Sequence, residues 1–209
     1  MHGHVALILF DRKMFYFKNP NVQNTDWYFI LDNVFDESEL SLIEQIANNT
    51  ESIEAEVGNN AELDKMAKNN EVRSSTVKWL SADDNESINP IYKKLGDAFS
   101  WVNNSKFKFD LQFIETIQHT EYKQQEFFNW HIDGPPHNFN NSPVRKLSAS
   151  VLLTDDYEGG DFEFSSIGTM RLKRNQAVFF PSMLAHRITP ITQGTRKSLV
   201  AWARGNPFI

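Results

Sequence analysis

Two histidines, one aspartate and one arginine carry the chemistry that this chain could perform. One residue separates His131 from Asp133, His186 follows Asp133 by 53 positions, and Arg196 comes ten positions later. Two imidazoles and one carboxylate form the facial triad that holds non-haem Fe(II) and leaves coordination positions open. An arginine is a permanently charged fork that can hold a carboxylate through two hydrogen bonds. Together these residue types predict an oxygenase that consumes a 2-oxo acid.

The residues around the three candidate ligands place them at the ends of strands. Residues two apart on a strand face the same side of a sheet, so His131 and Asp133 can bind one ion together. The aromatic-rich stretch 127–130 precedes this pair, and the Gly-Pro-Pro sequence at 134–136 ends the strand. His186 also follows an apolar stretch and a proline. The pattern therefore predicts one site at a sheet end, where loops commonly build functional sites.

Arg196 opens a segment in which one basic side chain is expected to point inward. Lys197 follows it directly, and the apolar run 199–202 comes after Ser198. An unpaired charge directed into an apolar barrel is very costly, so an inward arginine needs an anion as its partner. A surface position on the strand is the ordinary alternative for Arg196.

Ordinary structural roles and a zinc site compete with this interpretation. An isolated His-x-Asp pair arises often by chance, and a lone His186 would more often be a core or turn residue. Structural zinc normally has four ligands, commonly cysteines, and this chain contains none. Catalytic zinc remains open, but it would leave Arg196 without a role. The other histidines are expected in a disordered terminus (His2 and His4) or at the surface (His119 and His137).

The composition is that of an ordinary soluble globular protein. The 209 residues suffice for one domain with a substantial core, and the 17 phenylalanines favour aromatic-packed sheets. The net charge of −6 argues against nucleic acid as the main partner. The apolar run Val5–Phe10 is too short to span a bilayer and lacks the flanks of a secretory signal. With no cysteine, a reducing cytoplasm is compatible, and a cytoplasmic location without membrane association is expected.

The N-terminal half is expected to contribute two helices. The segment 27–31 predicts a short buried strand, and Asp36 followed by Glu39 predicts a capped helix start. A second helix should open at Asn89-Pro90, because proline is tolerated at a first helical position. The polar segment 48–70 is expected to be a solvated excursion or weak helix, or alternatively a mobile flap over the site. The predicted apolar stripes are Leu40, Ile43, Ile46 and Ala47 on the first helix, and Ile91, Leu95, Phe99 and Val102 on the second.

The C-terminal half is expected to form sheets. Apolar residues alternate over 107–113, and further strands are predicted at 126–131, 144–153, 161–164, 169–172, 177–180, 186–191 and 197–203. Short strands separated by turn signals favour an antiparallel sandwich or barrel. We expect a mainly β fold with N-terminal helices, in one domain over 1–209. A largely helical support layer (about 1–105) should cover a jelly-roll core, or double-stranded β-helix, of two antiparallel sheets (about 106–205).

Four segments resemble the prolyl 4-hydroxylase-like Fe(II)/2-oxoglutarate dioxygenases of bacterial and viral type. The stretch from Tyr122 to His131 and Asp133 is similar to a family segment with a tyrosine nine positions before the first histidine. Asp156–Phe162 looks like the family turn Y-x-G-G-[DE]-[FL]. The pattern from His186 through Pro190, Gly194, Arg196 and Trp202 resembles the second-histidine signature, and Arg73-Ser74-Ser75 with Trp79-Leu80 resembles an R-x-S…W-L segment.

The resemblance covers roughly residues 27 to 205 and implies roles for individual residues. It implies His131, Asp133 and His186 as Fe(II) ligands, and Arg196 assisted by Tyr122 as the clamp for the 2-oxoglutarate carboxylate. Arg145 and Trp202 fall where relatives hold a peptide substrate, although Trp202 could equally be a core aromatic and Arg145 a strand-end residue. The chain departs from the pattern at Gln125, where relatives usually carry glycine, and at Arg196, where many carry lysine.

The leading hypothesis is a dioxygenase that uses Fe(II), 2-oxoglutarate and O2 to hydroxylate a prolyl residue in a peptide or protein, releasing succinate and CO2. Ascorbate dependence is a further expectation from the family. The same chemistry on a small molecule, such as a free amino acid, is the alternative enzyme hypothesis. A non-catalytic jelly-roll binding module or a zinc hydrolase on this scaffold is the alternative from another class. The substrate and the oligomeric state do not follow from the sequence.

Overall fold

The computed structural model describes residues 27–54, 57–58, 66–67, 72–136, 138 and 142–208. Two α-helices, α1 (Glu37–Asn49) and α2 (Asn89–Val102), accompany a set of short strands. The strands are β1 (Phe29–Leu31), β2 (Ile53–Glu54), β3 (Val57–Gly58), β4 (Met66–Ala67), β5 (Arg73–Ser74), β6 (Thr76–Leu80), β7 (Phe113–Ile114), β8 (Ile117–Tyr122), β9 (Phe127–His131), β10 (Val144–Leu152), β11 (Tyr157–Gly159), β12 (Phe162–Phe164), β13 (Gly168–Met170), β14 (Ala177–Pro181), β15 (His186–Ile188), β16 (Ile191–Gly194) and β17 (Arg196–Gly205).

Both predicted helices are confirmed, together with their starts and buried faces. Asp36 caps α1 through a reciprocal pair of bonds with Glu39, since each side chain accepts a hydrogen bond from the other residue's backbone N–H. Pro90 lies in the first turn of α2, where its missing N–H costs no intrahelical hydrogen bond. All eight predicted stripe residues are buried. In the described part of the chain, neither helix nor any other is long and apolar enough to cross a membrane.

A large antiparallel sheet lies between the helices and the second, smaller sheet. Its strands follow the order β1-β14-β10-β17-β8-β6-β2, and β7 adds to β17. One face packs on the helices in a core that includes Leu147, Phe179 and Leu199. Because side chains alternate along a strand, the neighbouring residues Ser148, Phe180 and Ser198 turn to the other face.

A second antiparallel sheet, in the order β13-β12-β15-β9-β5, faces this other side. Phe162 and Ile188 of the smaller sheet form a shared cluster with Val178 and Phe180 of the large sheet. The predicted jelly-roll of two antiparallel sheets is therefore confirmed. Four strands from the first half of the chain belong to these sheets: β1, β2 and β6 to the large sheet and β5 to the smaller one.

The predicted strand over 107–113 is wrong for most of its length. A π-helical turn spans Asn103–Phe107, and Lys108 ends it with a left-handed backbone (φ 60°). Asn103 stabilises this reversal because its side chain bonds both the N–H and the C=O of Phe109, each at 2.8 Å. Only Phe113–Ile114 pairs as a strand. The alternating phenylalanines thus pack from an irregular segment rather than from a pleated strand.

Three smaller expectations also need correction. The first strand, β1, is a partly exposed edge rather than a buried strand, since Ile30 is 36% exposed and Trp27, just before the strand, is 61% exposed. His119, expected at the surface, is 1% exposed because it lies beneath α1 on the helix-facing side of β8. Within 48–70, three residue pairs after α1 form the short strands β2, β3 and β4, so the weak-helix alternative is wrong for these residues. His2, His4, His137, the run Val5–Phe10 and the remainder of 48–70 lie outside the described residues.

Candidate metal centre

The three predicted ligands come together at one end of the smaller sheet. His131 ends β9, Asp133 lies two residues beyond it, and His186 opens β15 directly opposite His131. The Nε2 atoms of both histidines lie 3.7 Å from Oδ1 of Asp133. One ligand atom from each residue falls within 4.8 Å of the others, and this is the one such cluster among the described residues.

A β-bulge in β9 turns an additional aromatic side chain towards the site. His186 pairs with His131 but Ile188 pairs with Phe128, so β9 carries one more residue than β15 between these pairs. Phe128 and His131 therefore both face the cavity, and their rings stack with centroids 3.4 Å apart. Trp130 is turned outward and is 42% exposed. The predicted alternation of side chains along a strand explains why His131 and Asp133 face the same side. It does not predict this bulge.

Both imidazoles are held in the form that a metal ion requires. Nδ1 of His131 lies 2.8 Å from the carbonyl oxygen of Asn129, and Nδ1 of His186 lies 2.9 Å from that of Leu184. A carbonyl can only accept a hydrogen bond, so each Nδ1 carries the proton. The neutral form of each ring then has its free lone pair on Nε2, the nitrogen that lies 3.7 Å from Asp133. Such carbonyl contacts orient metal-binding histidines and fix their tautomers.

The charge states also suit a cation. Burial, reinforced by the proximity of His186, lowers the pKa of His131 to about 3, so this imidazole is neutral at pH 7. Burial alone would raise the pKa of Asp133, but His186 and His131 outweigh it and hold the pKa below its usual value. Neutral imidazole and ionised carboxylate are the forms that bind metal. Oδ2 of Asp133 is buried without a hydrogen-bond partner among the described residues, as expected of a group that awaits a ligand.

Aromatic side chains enclose the second histidine. The ring of Phe162 is nearly parallel to that of His186, with centroids 5.3 Å apart, and Phe180 meets the imidazole edge-on at 4.6 Å. These side chains restrict the access of water to the metal position. They also fix the plane of the His186 ring.

Arg196 lines the same cavity as the cluster and is only 2% exposed. Its Nη1 donates to the Ser198 hydroxyl at 3.2 Å, while its Nε is buried without a partner among the described residues. No carboxylate of the described chain forms an ion pair with it. A buried guanidinium without a counter-ion is strongly unfavourable, so this side chain is prepared for an anionic ligand.

Tyr122 and Gly160 surround the arginine. Tyr122 lies opposite Arg196 on β8, lines the cavity and is 3% exposed, with its ring centroid 5.8 Å from the guanidinium carbon. Gly160 (φ 59°) leaves room for the arginine stem, since a Cβ there would lie 3.0 Å from Cδ of Arg196. Gln125 adopts φ 69°, a left-handed conformation that glycine accepts more readily. Tyr122 nevertheless reaches the cavity.

The two residues expected to hold the substrate contact each other. Arg145 lies over the Trp202 ring with its guanidinium carbon 3.9 Å from the centroid. Two of its nitrogens donate to the Glu115 carboxylate at 2.8 and 2.6 Å, and the third donates to the backbone oxygen of Asp133 at 3.2 Å. Trp202 lines the metal cavity, and its indole nitrogen is buried without a partner among the described residues.

The sequence patterns predict no site role for Arg73 or Glu115, although both lie at the site. Arg73 is 7% exposed, lies 4.5 Å over the Phe128 ring and lines the cavity beside the ligands. The R-x-S segment that contains Arg73 is recognisable in the sequence, but the sequence does not predict that Arg73 lies in the metal cavity. Glu115 binds both Arg145 and Arg204. No local signal marks this glutamate, since only the strand pairing brings it to the arginines.

A larger cavity of about 760 Å³ shares Phe162 and Arg196 with the metal cavity, whose own volume is about 40 Å³. Basic and acidic side chains mix along the larger cavity, among them Arg171, Asp155 and Asp161. Since the donor cluster lies in the smaller cavity, we assign the chemistry there despite its size.

Comparison with known proteins agrees with this geometry. The sequence pattern of the 2OG-Fe(II) oxygenase superfamily matches residues 117–204, which contain all seven predicted site residues. A PKHD-type hydroxylase of Synechococcus sp. (strain CC9902) is 35% identical over 80 residues, which cover 36% of this chain and 35% of that protein. The chain thus spans about a third of the length of the curated relatives it matches.

Solved structures extend the similarity over most of the fold. The viral collagen prolyl hydroxylase of Paramecium bursaria Chlorella virus-1 superimposes with a TM-score of 0.64 at 19% identity, covering 87% of this chain and 97% of that one. A prolyl hydroxylase of Trichoplax adhaerens, solved with a hypoxia inducible factor peptide fragment, gives a TM-score of 0.69 at 16% identity, covering 86% and 84%. The chain therefore shares the fold of these prolyl hydroxylases, and its residues 117–204 are similar to the 2OG-Fe(II) oxygenase superfamily.

Proposed function

We propose that this protein is an Fe(II)- and 2-oxoglutarate-dependent dioxygenase that hydroxylates a C–H bond, in a prolyl residue of a peptide or protein. One observation carries the proposal. A buried arginine without a counter-ion among the described residues, Arg196, lines the same cavity as the His131, Asp133 and His186 cluster. A cation site beside an unpaired guanidinium is suited to a small carboxylic acid that can bind the metal ion at one end and the guanidinium at the other.

His131, Asp133 and His186 would hold the iron through two Nε2 atoms and one carboxylate. With 2-oxoglutarate and O2, the bound iron supplies the oxidation of the C–H bond, coupled to decarboxylation of the oxo acid to succinate and CO2. The protein's contribution is positional. The backbone contacts of Asn129 and Leu184 hold both imidazoles in place, so the donor set needs little reorganisation when the metal arrives.

Arg196 would bind the carboxylate of 2-oxoglutarate that lies away from the metal. Its guanidinium is buried, so a charge-assisted hydrogen bond there is stronger than it would be in water. Ser198 already orients one nitrogen, which leaves the remaining donors for the ligand. Tyr122, across the strand pair, would form the wall beside the co-substrate.

The substrate would approach over Trp202 and Arg145. The contact with Glu115 holds the Arg145 guanidinium over the indole of Trp202, which lines the cavity. The Trp202 N–H, a buried donor without a partner among the described residues, could bind a carbonyl oxygen. A peptide substrate is further supported by the peptide complex of the Trichoplax prolyl hydroxylase, and a hydroxylation reaction by the name of the Synechococcus relative.

The decisive experiment is an anaerobic visible spectrum of the protein with Fe(II), before and after addition of 2-oxoglutarate. Chelation of the iron by the oxo acid should give a metal-to-ligand charge-transfer band, and the variant Asp133→Ala should lose it. Folded protein that binds iron but shows no such band would exclude this function and favour zinc hydrolysis or a binding role.

The substrate class needs a second experiment. Peptide libraries and metabolite extracts would be incubated with active enzyme and with Asp133→Ala, and searched for products that gain one oxygen atom. Oxygen gained at proline in peptides would support the proposal. Oxygen gained only by metabolites would favour the small-molecule alternative. Ascorbate stimulation, a cytoplasmic location and the lack of a nucleic-acid partner stay predictions, as does the single-domain organisation.

A further inference from the structure

The turn after β14 connects two of the three candidate metal ligands. The backbone oxygen of Ser182 accepts the N–H groups of Asp133 and Gly134, at 2.9 and 3.2 Å. Two residues further on, the backbone oxygen of Leu184 accepts the Nδ1–H of His186. Any movement of this turn would therefore shift Asp133 and His186 together.

Two buried hydroxyls support this turn from the large sheet. Ser148, on β10, and Ser182 are both fully buried, and their Oγ atoms lie 2.9 Å apart. The N–H of Ser182 also donates to the backbone oxygen of Lys146 at 3.0 Å. Ser182 is thus hydrogen-bonded to β10 through both its N–H and its hydroxyl, while its carbonyl oxygen accepts the N–H of Asp133.

The two hydroxyls act on Asp133 through the backbone of Ser182. The hydrogen bond between their Oγ atoms holds Ser182 against β10, and the Ser182 carbonyl in turn accepts the N–H groups of Asp133 and Gly134. Loss of either hydroxyl removes the same hydrogen bond, so the two serines form one support for Asp133.

We propose that the buried Ser182–Ser148 pair positions the Asp133 carboxylate for a divalent metal ion and so sets the metal affinity of the site. This inference rests on the proposed function, because it takes the cluster to be a metal site. The ligand cluster consists of His131, Asp133 and His186, so both serines act as positioning residues. Outer contacts to metal ligands typically change metal affinity by about 10- to 100-fold.

The test is equilibrium binding of Co(II) to the full chain, measured by competition with a chromophoric chelator and by the visible d–d spectrum of Co(II). We expect Ser148→Ala and Ser182→Ala each to weaken Co(II) binding by about 10- to 100-fold and to change the spectrum. The double variant should bind about as weakly as either single variant, because both hydroxyls take part in one hydrogen bond.

Two further variants separate positioning from packing. Ser150→Ala removes a buried hydroxyl from the same face of β10, two residues along, and should stay within about twofold of the wild type in affinity. Ser148→Thr keeps the hydroxyl and should recover most of the affinity lost in Ser148→Ala. Equal losses in Ser150→Ala, or no recovery in Ser148→Thr, would overturn the proposal.

The outcomes also separate this inference from the proposed function. Wild-type protein that binds no Co(II) would contradict both. Wild-type protein that binds Co(II) as tightly as folded Ser148→Ala and Ser182→Ala, with the same spectrum, would overturn only the role of the serines.

Discussion

The guanidinium carbon of Arg145 lies 3.9 Å from the centroid of the Trp202 ring, and two of the arginine nitrogens bind Glu115. The cation therefore cannot turn away from the indole without breaking a bidentate ion pair. Arg187 repeats this arrangement away from the metal cavity, since it lies 4.6 Å over Trp130 and binds Glu163. The chain thus contains a matched pair of arginines, one inside the site and one outside it.

Arg145→Lys should raise the KM for a peptide substrate about tenfold, or about 1.4 kcal/mol. Lysine can neither bind Glu115 through two nitrogens nor lie flat on Trp202. The measurement is the initial rate across peptide concentrations at saturating 2-oxoglutarate. Arg187→Lys is the control and should change the KM less than twofold. A change confined to the KM for 2-oxoglutarate would contradict a substrate-side role for Arg145.

Arg196→Met should weaken 2-oxoglutarate binding by at least about 100-fold, because the charge-assisted hydrogen bonds to the carboxylate are lost. The same variant should unfold at a higher temperature than the wild type when no co-substrate is present, since it removes a buried cation without a counter-ion. Titration of the charge-transfer band and thermal melting measure the two effects. Unchanged 2-oxoglutarate affinity, or a lower melting temperature, would show that the guanidinium is paired in another way.

Gly160→Ala should destabilise the fold by about 1 to 3 kcal/mol and also weaken 2-oxoglutarate binding. Its added Cβ would meet Cδ1 of Ile191 at 2.3 Å and Cδ of Arg196 at 3.0 Å. Gly168→Ala is the control, because Gly168 also has a positive φ (102°) but has nothing within 4 Å of an added Cβ. Chemical denaturation and co-substrate titration of both variants would test this. Equal losses of 2-oxoglutarate affinity would contradict a specific effect through Arg196.

Stability should depend on Glu44 between about pH 4.5 and pH 2. Hydrogen bonds from His119 and then Lys197 outweigh burial and lower the pKa of Glu44 from 4.5 to about 2. The folded pKa lies below the unfolded value, so this stabilisation is present above pH 4.5 and is lost as the pH falls towards 2. Glu44 is a third exposed, so screening limits the contribution to about 1 kcal/mol.

Urea unfolding of Glu44→Gln and wild type at pH 7 and pH 3 measures this dependence. The two proteins should differ at pH 7, and the difference should shrink at pH 3. Glu121→Gln, on the same side of β8, is the control and should unfold like the wild type within about 0.5 kcal/mol. A difference that stays constant with pH would point to packing rather than charge.

Several elements were predictable because their signals are local. The capping box at Asp36, the proline at position 90 and the 3.6-residue apolar stripes depend only on neighbours along the chain, and both helices form as predicted. The strands around His131 and His186 were also predictable from short apolar runs ended by turn residues. The single predicted strand 186–191 instead divides into β15 and β16, which belong to different sheets.

Strand β8 was missed because both of its faces are buried. His119 and Glu121 face the helix side, while Gln118, Thr120 and Tyr122 face the cavity. Polar residues buried on a sheet look like surface residues in the sequence. Conversely, the regular alternation at 107–113 imitates a strand, although the Asn103 side chain bonds reverse the chain there.

The sequence by itself determined the residue types of the candidate metal cluster, their places at strand ends and the family that the chain resembles. It could do so because candidate ligands and turn residues are recognisable in short stretches of sequence. Only the tertiary structure decided which polar groups are left without partners. Arg196 and Oδ2 of Asp133 are buried without counterparts in the described chain, whereas Arg145 is already held by Glu115. Strand pairing brings together residues far apart in the chain, and this pairing determines which charges are balanced and which await a ligand.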